Sequence, residues 1–144
     1  MSIPTIVVTD SPSSADREAI TQALVAFNDK VAGPSGFQPL AVLVQDSDGN
    51  TIGGLWGKTS YDWLVVELFV VPEQFRGQDL GSSLLSRAEA AARERGCIGA
   101  WLDTYEFQAL GFYQKQGYEL FGTVDDHPRG SRRFFVKKLF QPLT

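Results

Sequence analysis

The stretch ELFVVPEQFRGQDLGSSLLSRAEAAARERG, Glu67 to Gly96, decides how the rest of the chain is read. Its opening, Glu67 to Val71, is dense in β-branched and aromatic residues and is bounded by Pro72, which predicts a strand. Its end places Leu80, Leu84, Leu85, Ala88, Ala91 and Ala92 at helical spacing, so one helix face is apolar. Gly96 then stops the helix, with Arg93 and Arg95 in the last turn, where the helix dipole favours cations. Between strand and helix lies Arg76-Gly-Gln-Asp-Leu-Gly-Ser82. The first N–H groups of a helix have no partner inside it, so this loop points a set of free amides at one spot beside the strand's carboxyl end. Such a spot attracts phosphate. Gly77 and Gly81 lack a Cβ and let the backbone approach closely.

Working outward, the 144 residues suffice for one domain with a real core, and we read 1–144 as a single domain. An apolar fraction of 43% with mixed charges places the chain among globular proteins. The net charge of −4 argues against a nucleic-acid partner, which calls for a basic face. One cysteine, Cys97, rules out an internal disulfide, and with a single histidine it leaves no structural zinc site, so no metal is expected. The N-terminus lacks a basic region followed by an apolar core, and no apolar run approaches the ~20 residues of a membrane helix. The expected setting is the cytoplasm, with no membrane partner. A homodimer is a possible assembly.

Thr5 to Thr9 is a β-branched run and predicts a first strand. Ser13 with Asp16 forms a capping-box pattern, and Ile20, Ala23, Leu24, Phe27 and Val31 recur at helical spacing, predicting a helix to Ala32 before Gly33-Pro34. Pro39 to Gln45 and Thr51 to Gly57 read as a hairpin around Asp46-Ser-Asp-Gly-Asn50, with a positive φ expected at Gly49. Gly53, Gly54 and Gly57 mark a bulge or a close backbone approach. Lys58 to Asp62 is read as a turn before the strand beginning at Trp63. Downstream, Ile98 to Thr104 is read as a buried strand and Glu106 to Gln116 as a helix with Phe107, Leu110 and Phe112 in the core. Tyr118 to Val124 and Arg132 to Leu139 are read as final strands. The expected order is βαββ–βα–βα–ββ, an α/β fold.

The Arg76–Ser82 segment resembles the acyl-CoA-binding motif of the GNAT superfamily of N-acetyltransferases, Gln/Arg-x-x-Gly-x-Gly/Ala. Arg76 matches its first position and Gly81 its last, while Asp79 stands where a glycine is usual. Ala109-Leu-Gly-Phe-Tyr113-Gln-Lys-Gln-Gly117-Tyr118 resembles the family's later signature, Ala-x-x-x-Tyr-x-x-x-Gly-Phe, in the expected order. The resemblance covers 52–139 well. It implies a mixed, mostly antiparallel sheet flanked by helices, with central strands that splay to admit the cofactor. It implies transfer of an acetyl group from acetyl-CoA to an amine by direct attack. A small-molecule primary amine is the expected acceptor, because the N-terminal region that shapes the acceptor site in such enzymes is short here. A protein N-terminus or lysine, or a CoA-binding module without catalysis, are the alternatives.

The resemblance further implies that Phe69, Val70, Val71, Arg76, Gly77, Gln78, Asp79, Leu80, Gly81, Ser82, Glu106 and Phe112 contact the cofactor. Glu106 takes a place where an asparagine is usual. The Asp79 carboxylate, which would repel phosphate, is expected to turn away, capping the helix or adopting a left-handed backbone. Tyr113 falls where the family's general acid lies, and a phenol of pKa near 10 is protonated at neutral pH and can donate to a thiolate. For the base, Glu67 leads, with Asp103, Glu106 and His127 as rivals. Strand alternation would put Glu67, Phe69 and Val71 on one side, and Leu68 and Val70 on the other. A lone carboxylate in an apolar strand needs a wet cleft or a partner.

Overall fold

A computed structural model describes residues 2–142. Two compact units divide the chain, one ending at Ser35 and the other beginning at Gly36.

The first unit holds helix α1, Ser14–Ala32. Its N-terminus closes as a capping box. The Ser13 hydroxyl accepts from the Asp16 N–H at 3.1 Å, and the Asp16 carboxylate accepts from the Ser13 N–H at 2.9 Å. Gly33 ends it at φ 81°. The strand expected over Thr5 to Thr9 is not formed: 2–9 have no regular structure. β-branching suits a residue to a strand, but a strand exists only where another pairs with it.

The second unit is built on one sheet of six strands in the order β1-β2-β3-β4-β6-β5. They are β1 Gln38–Gln45, β2 Thr51–Ser60, β3 Trp63–Val70, β4 Gly99–Tyr105, β5 Glu119–Asp125 and β6 Arg132–Leu139. Every neighbouring pair is antiparallel except β3 with β4. The parallel pair requires a crossover, and helix α2, Leu80–Glu94, provides it. β2 continues through Lys58 to Ser60, so the expected turn shrinks to Tyr61 and Asp62, both at positive φ. The Asp46–Asn50 turn forms as read, with Gly49 at φ 82°.

Leu84, Leu85, Ala88 and Ala92 are the buried face of α2. They join Leu55, Leu64, Val66, Leu102 and Val136 of the sheet in one core. Two alanines in that face let the helix sit close to the strands, and each fully buried leucine contributes roughly 1.5–3 kcal/mol. Polar ties fix the helix at two levels. Glu89 accepts from the Tyr118 hydroxyl and from Lys138 Nζ, both at 2.8 Å. Arg95 donates to the Pro39 carbonyl at 3.0 Å and to the buried Thr59 hydroxyl at 3.1 Å.

Two irregularities shape the middle of the sheet. Gly57 of β2 pairs with Val66, but Trp56 pairs with Leu68, so Glu67 is an extra residue in β3. A Cβ on Gly57 would lie 2.3 Å from the Val65 carbonyl oxygen, which explains a glycine there. The bulge overturns the expected alternation. Phe69 falls in phase with Leu64 and Val66 and packs on the core, whereas Glu67 is exposed and ion-paired to Lys58 at 3.3 Å. The second irregularity is the gap between β3 and β4. Their pairing stops at Val66 with Leu102, although both strands run on. The central strands therefore splay, as the family resemblance implied.

Beyond β4 the helix is shorter than expected. α3 covers only Leu110–Lys115, and Phe107, read as core, is 68% exposed. The Gln108 side chain causes this: its Oε1 accepts from the Tyr105 N–H at 2.7 Å and from the Thr104 hydroxyl at 3.2 Å. That closes a turn over Thr104–Gln108 and delays the helix.

Candidate active site

The loop after β3 prepares one wall of a cleft. Glu73–Phe75 makes a single 3-10 turn, and Arg76 Nε donates back to the Val71 carbonyl at 3.3 Å. Gly77 takes φ 80°. Asp79 stands at the N-cap of α2 in the left-handed region, φ 59° and ψ 16°, and its side chain makes no capping hydrogen bond. Of the two expectations for Asp79, the left-handed backbone is realised and the cap is not. The Ser83 N–H is bonded to the Asp79 carbonyl at 3.1 Å, and the amides before it open the helix with none of their own. Gly81 lies against the cleft wall: a Cβ there would touch the Phe112 ring at 3.4 Å and Val71 at 3.5 Å, so a larger side chain would crowd both.

Across from this loop stands α3. Phe69, Val70, Val71, Arg76, Gly77, Asp79, Leu80, Gly81, Ser82, Phe112 and Tyr113 line a single cleft of about 700 Å³. The structure thus gathers nearly all the residues expected to contact the cofactor. Gln78 and Glu106 lie outside the lining. Glu106 is turned to Arg132, with Arg132 Nε donating to its Oε2. An ion pair along the strand ends takes Glu106 away from the cleft that its sequence position suggested. Sequence reasoning overlooked Lys115 and Gln116 on the α3 wall and Gln108 at its base. Lys115 had a visible signal, a cation two residues past Tyr113 beside a predicted anion site.

A second cleft, about 350 Å³, opens in the gap between β3 and β4. It holds Glu67, Asp103, Tyr105 and Arg133, and it shares Phe69, Gln108, Ala109 and Tyr113 with the first. Arg133 bonds Asp103 at 2.7 Å and lies over the rings of Tyr105 and Phe135. Glu67 and Asp103 are therefore in this second cleft. His127 is not part of its lining and stands edge-on to Tyr105 at 5.4 Å.

Tyr113 sits where the two clefts meet. Its ring is held edge-on by Phe69, Phe112 and Tyr118, with centroids 6.2, 5.2 and 6.1 Å away. Burial, and to a lesser degree the negative charge of Asp103, pushes its pKa up to about 12. The phenol therefore stays protonated through the whole neutral and mildly alkaline range. Free amides and small residues at a helix start suit a diphosphate in the larger cleft. The smaller one offers carboxylates to an amine.

Residues 38–120, more than half the chain, match the family described as acetyltransferase (GNAT) domain. The chain belongs to the GNAT acetyltransferase family. Acetyltransferase Atu2258 of Agrobacterium fabrum is 36% identical over 134 residues, which span 93% of this chain and 98% of that protein. Blasticidin-S acetyltransferase of Streptomyces morookaense is 47% identical over 93 residues, 63% of this chain and 68% of that one. Among solved structures, a protein from Agrobacterium tumefaciens superposes with a TM-score of 0.90 at 35% identity, covering 95% of this chain and all of that one (100%). An acetyltransferase from Bacillus cereus gives a TM-score of 0.78 at 28% identity, covering 93% and 98% of the two chains. This GNAT chain is an acyl-CoA N-acetyltransferase, with the six-stranded, mostly antiparallel sheet of that fold. Among its described residues no helix is long and apolar enough to cross a membrane, and no cluster of histidine, cysteine and carboxylate groups could hold a metal ion.

Proposed function

We propose that this enzyme acetylates the primary amine of a small molecule, using acetyl-CoA and direct attack. One observation carries the reading: Tyr113 stands at the junction of a long cleft that ends on a phosphate-friendly helix start and a short cleft that holds Glu67. Acetyl-CoA supplies an activated acyl group. The Arg76–Ser82 amides, with Lys115 and Arg76 nearby, hold its diphosphate, while Phe69, Val70, Val71 and Phe112 give its pantetheine arm an apolar wall.

Glu67 takes the proton that the attacking nitrogen loses, directly or through one water, and its ion pair with Lys58 at 3.3 Å orients the carboxylate. The Tyr113 phenol gives its proton to the sulphur as the carbon–sulphur bond breaks. A thiol in place of a thiolate is the better leaving group, and a tyrosine with a raised pKa carries its proton through the neutral range. Asp103 with Arg133 forms the far wall against the acceptor. The similarity to an enzyme named for blasticidin-S, a small molecule, supports a small acceptor over a protein. A reducing cytoplasm suits the free Cys97.

A panel of small amines, N-terminal peptides and lysine peptides, each mixed with acetyl-CoA while free thiol is read, tests this reading. Thiol release with one class of small amine is expected. Turnover of peptides alone would overturn the acceptor, and binding of acetyl-CoA without thiol release from any amine would overturn catalysis.

A further inference from the structure

We propose that Tyr118, pinned by Glu89, is the positioning residue for Tyr113, and that this pair aims the proton donor at the sulphur. The inference rests on the role given to Tyr113 under the proposed function. Among the described residues the Tyr113 hydroxyl has no hydrogen-bond partner, so ring packing sets the direction of the phenol. The three rings around it belong to Phe69, Phe112 and Tyr118. Phe69 and Phe112 end in hydrocarbon and line the open cleft. Tyr118 is 3% exposed and is tied at both ends. Its N–H donates to the Tyr113 carbonyl at 3.0 Å, and its hydroxyl donates to Glu89 Oε2 at 2.8 Å. One residue thus holds the Tyr113 backbone and packs on the Tyr113 ring.

The anchor is itself built from three elements. The Glu89 side chain, 12% exposed, accepts a second bond from Lys138 Nζ at 2.8 Å. Lys138, in β6, lies over the Tyr118 ring at 5.7 Å, and its stem passes Gly117, where a Cβ would lie 3.5 Å from its Cε. Gly117 at φ 95° makes the reversal that brings Tyr118 back under α3. Replacing a buried charge pair by apolar residues is often neutral for stability, so stability does not account for this one. Tyr118 also stands where the family signature has phenylalanine, so packing does not call for its hydroxyl. Glu89 belongs to α2, about 14 Å along the axis from Leu80. The helix whose start is proposed to hold the diphosphate therefore also holds the acid. One rigid rod spaces the two.

Steady-state kinetics of wild type, Tyr118→Phe, Tyr113→Phe and the double variant tests the inference. The substrates are acetyl-CoA and the amine that releases thiol fastest in the panel. Tyr118→Phe should lower kcat about tenfold or more with KM for acetyl-CoA unchanged, since a displaced donor costs rate and not binding. In the Tyr113→Phe background it should cost nothing further, because the group it aims is gone. Glu89→Gln, which still accepts from the Tyr118 hydroxyl, should keep most of the rate, and Glu89→Leu should match Tyr118→Phe. Circular dichroism and calorimetric acetyl-CoA affinity show that the variants are folded. A wild-type kcat in Tyr118→Phe or in Glu89→Leu overturns the inference. Losses that multiply in the double variant, or that fall as much on KM, overturn it too. A fully active Tyr113→Phe, or no thiol release from any amine, overturns the donor reading and the inference with it. That failure is seen without the double variant and so is distinct from the others.

Discussion

Asp103 of β4 and Tyr113 of α3 both line the cleft that opens between β3 and β4, near enough that the carboxylate adds to burial in raising the Tyr113 pKa. Arg133, bound to Asp103, holds that carboxylate in place. An acid with a raised pKa is a weaker proton donor but a dependable one. This arrangement suits a group that must be protonated before each turnover.

Tyr113→Phe keeps the ring in its aromatic setting and removes only the hydroxyl. Turnover should fall roughly 10²-fold or more, and the KM for acetyl-CoA should hardly move, because the hydroxyl acts on charge that develops in the transition state. An acyl donor with a more acidic thiol should recover part of the rate. Steady-state kinetics with two donors decides it; equal activity of wild type and variant, with chemistry limiting both, excludes the role.

Glu67→Gln should lower kcat/KM by roughly 10²–10⁴ near neutral pH, the usual range for a lost general base. The loss should shrink at alkaline pH, where the free amine needs no base. Thermal stability should change by no more than ~1 kcal/mol, since the Lys58 pair is exposed. A pH–rate profile that is merely scaled down, with no alkaline recovery, would assign the base elsewhere, with Asp103 the next candidate.

Asp79→Asn should tighten acetyl-CoA binding, and most at low salt, because it removes a negative charge from the helix start proposed to hold the diphosphate. Asparagine tolerates the left-handed backbone, and no cap is lost because Asp79 makes none, so stability should stay within ~0.5 kcal/mol. Calorimetric titration at two salt concentrations checks both halves. Weaker binding in a folded variant would contradict the expectation.

Gly81→Val should weaken acetyl-CoA binding while the protein remains folded. Its Cβ meets Phe112 and Val71 at the margin of ordinary contact, and the extra methyls must push Phe112 into the cleft. Unchanged affinity would remove this loop from the binding site.

Stability should also fall on the alkaline side. Tyr113 and Tyr118 are both raised, each chiefly by burial, with Asp103 adding to the first and Glu89 to the second. Raised folded values mean that the stabilisation is intact below pH ~10, the unfolded value, and is lost as pH climbs through the folded ones. Urea midpoints measured from neutral to strongly alkaline pH should drop above ~10, and Tyr118→Phe should flatten that drop.

The strand, loop and helix of 67–96 were legible because each element announces itself locally, through β-branched residues, glycines and alanine spacing. Tyr113 was legible through a signature whose two halves both lie in one short segment. Glu67 was harder. Its neighbours follow a period of two, and only the pairing with Gly57 in another strand shows that the count skips. Phe107 failed for a similar reason: apolar spacing counted it inward, but the Gln108 side chain closes a turn that leaves it outside. Thr5 to Thr9 carried the right residues for a strand and no partner. In each case the missing information is held by a distant residue or by a side chain that competes with the backbone.

The bulge at Glu67 has a wider consequence. One added residue divides a single strand into two independent halves. The portion before it is locked to the hydrophobic interior, and the portion after it returns to that interior. The residue between them answers to neither. Its side chain is exposed and tied only to Lys58, so the residue at this place in the second cleft can be exchanged at little cost to folding. Under the proposed function, acceptor preference can drift at this position while the cofactor cleft stays fixed.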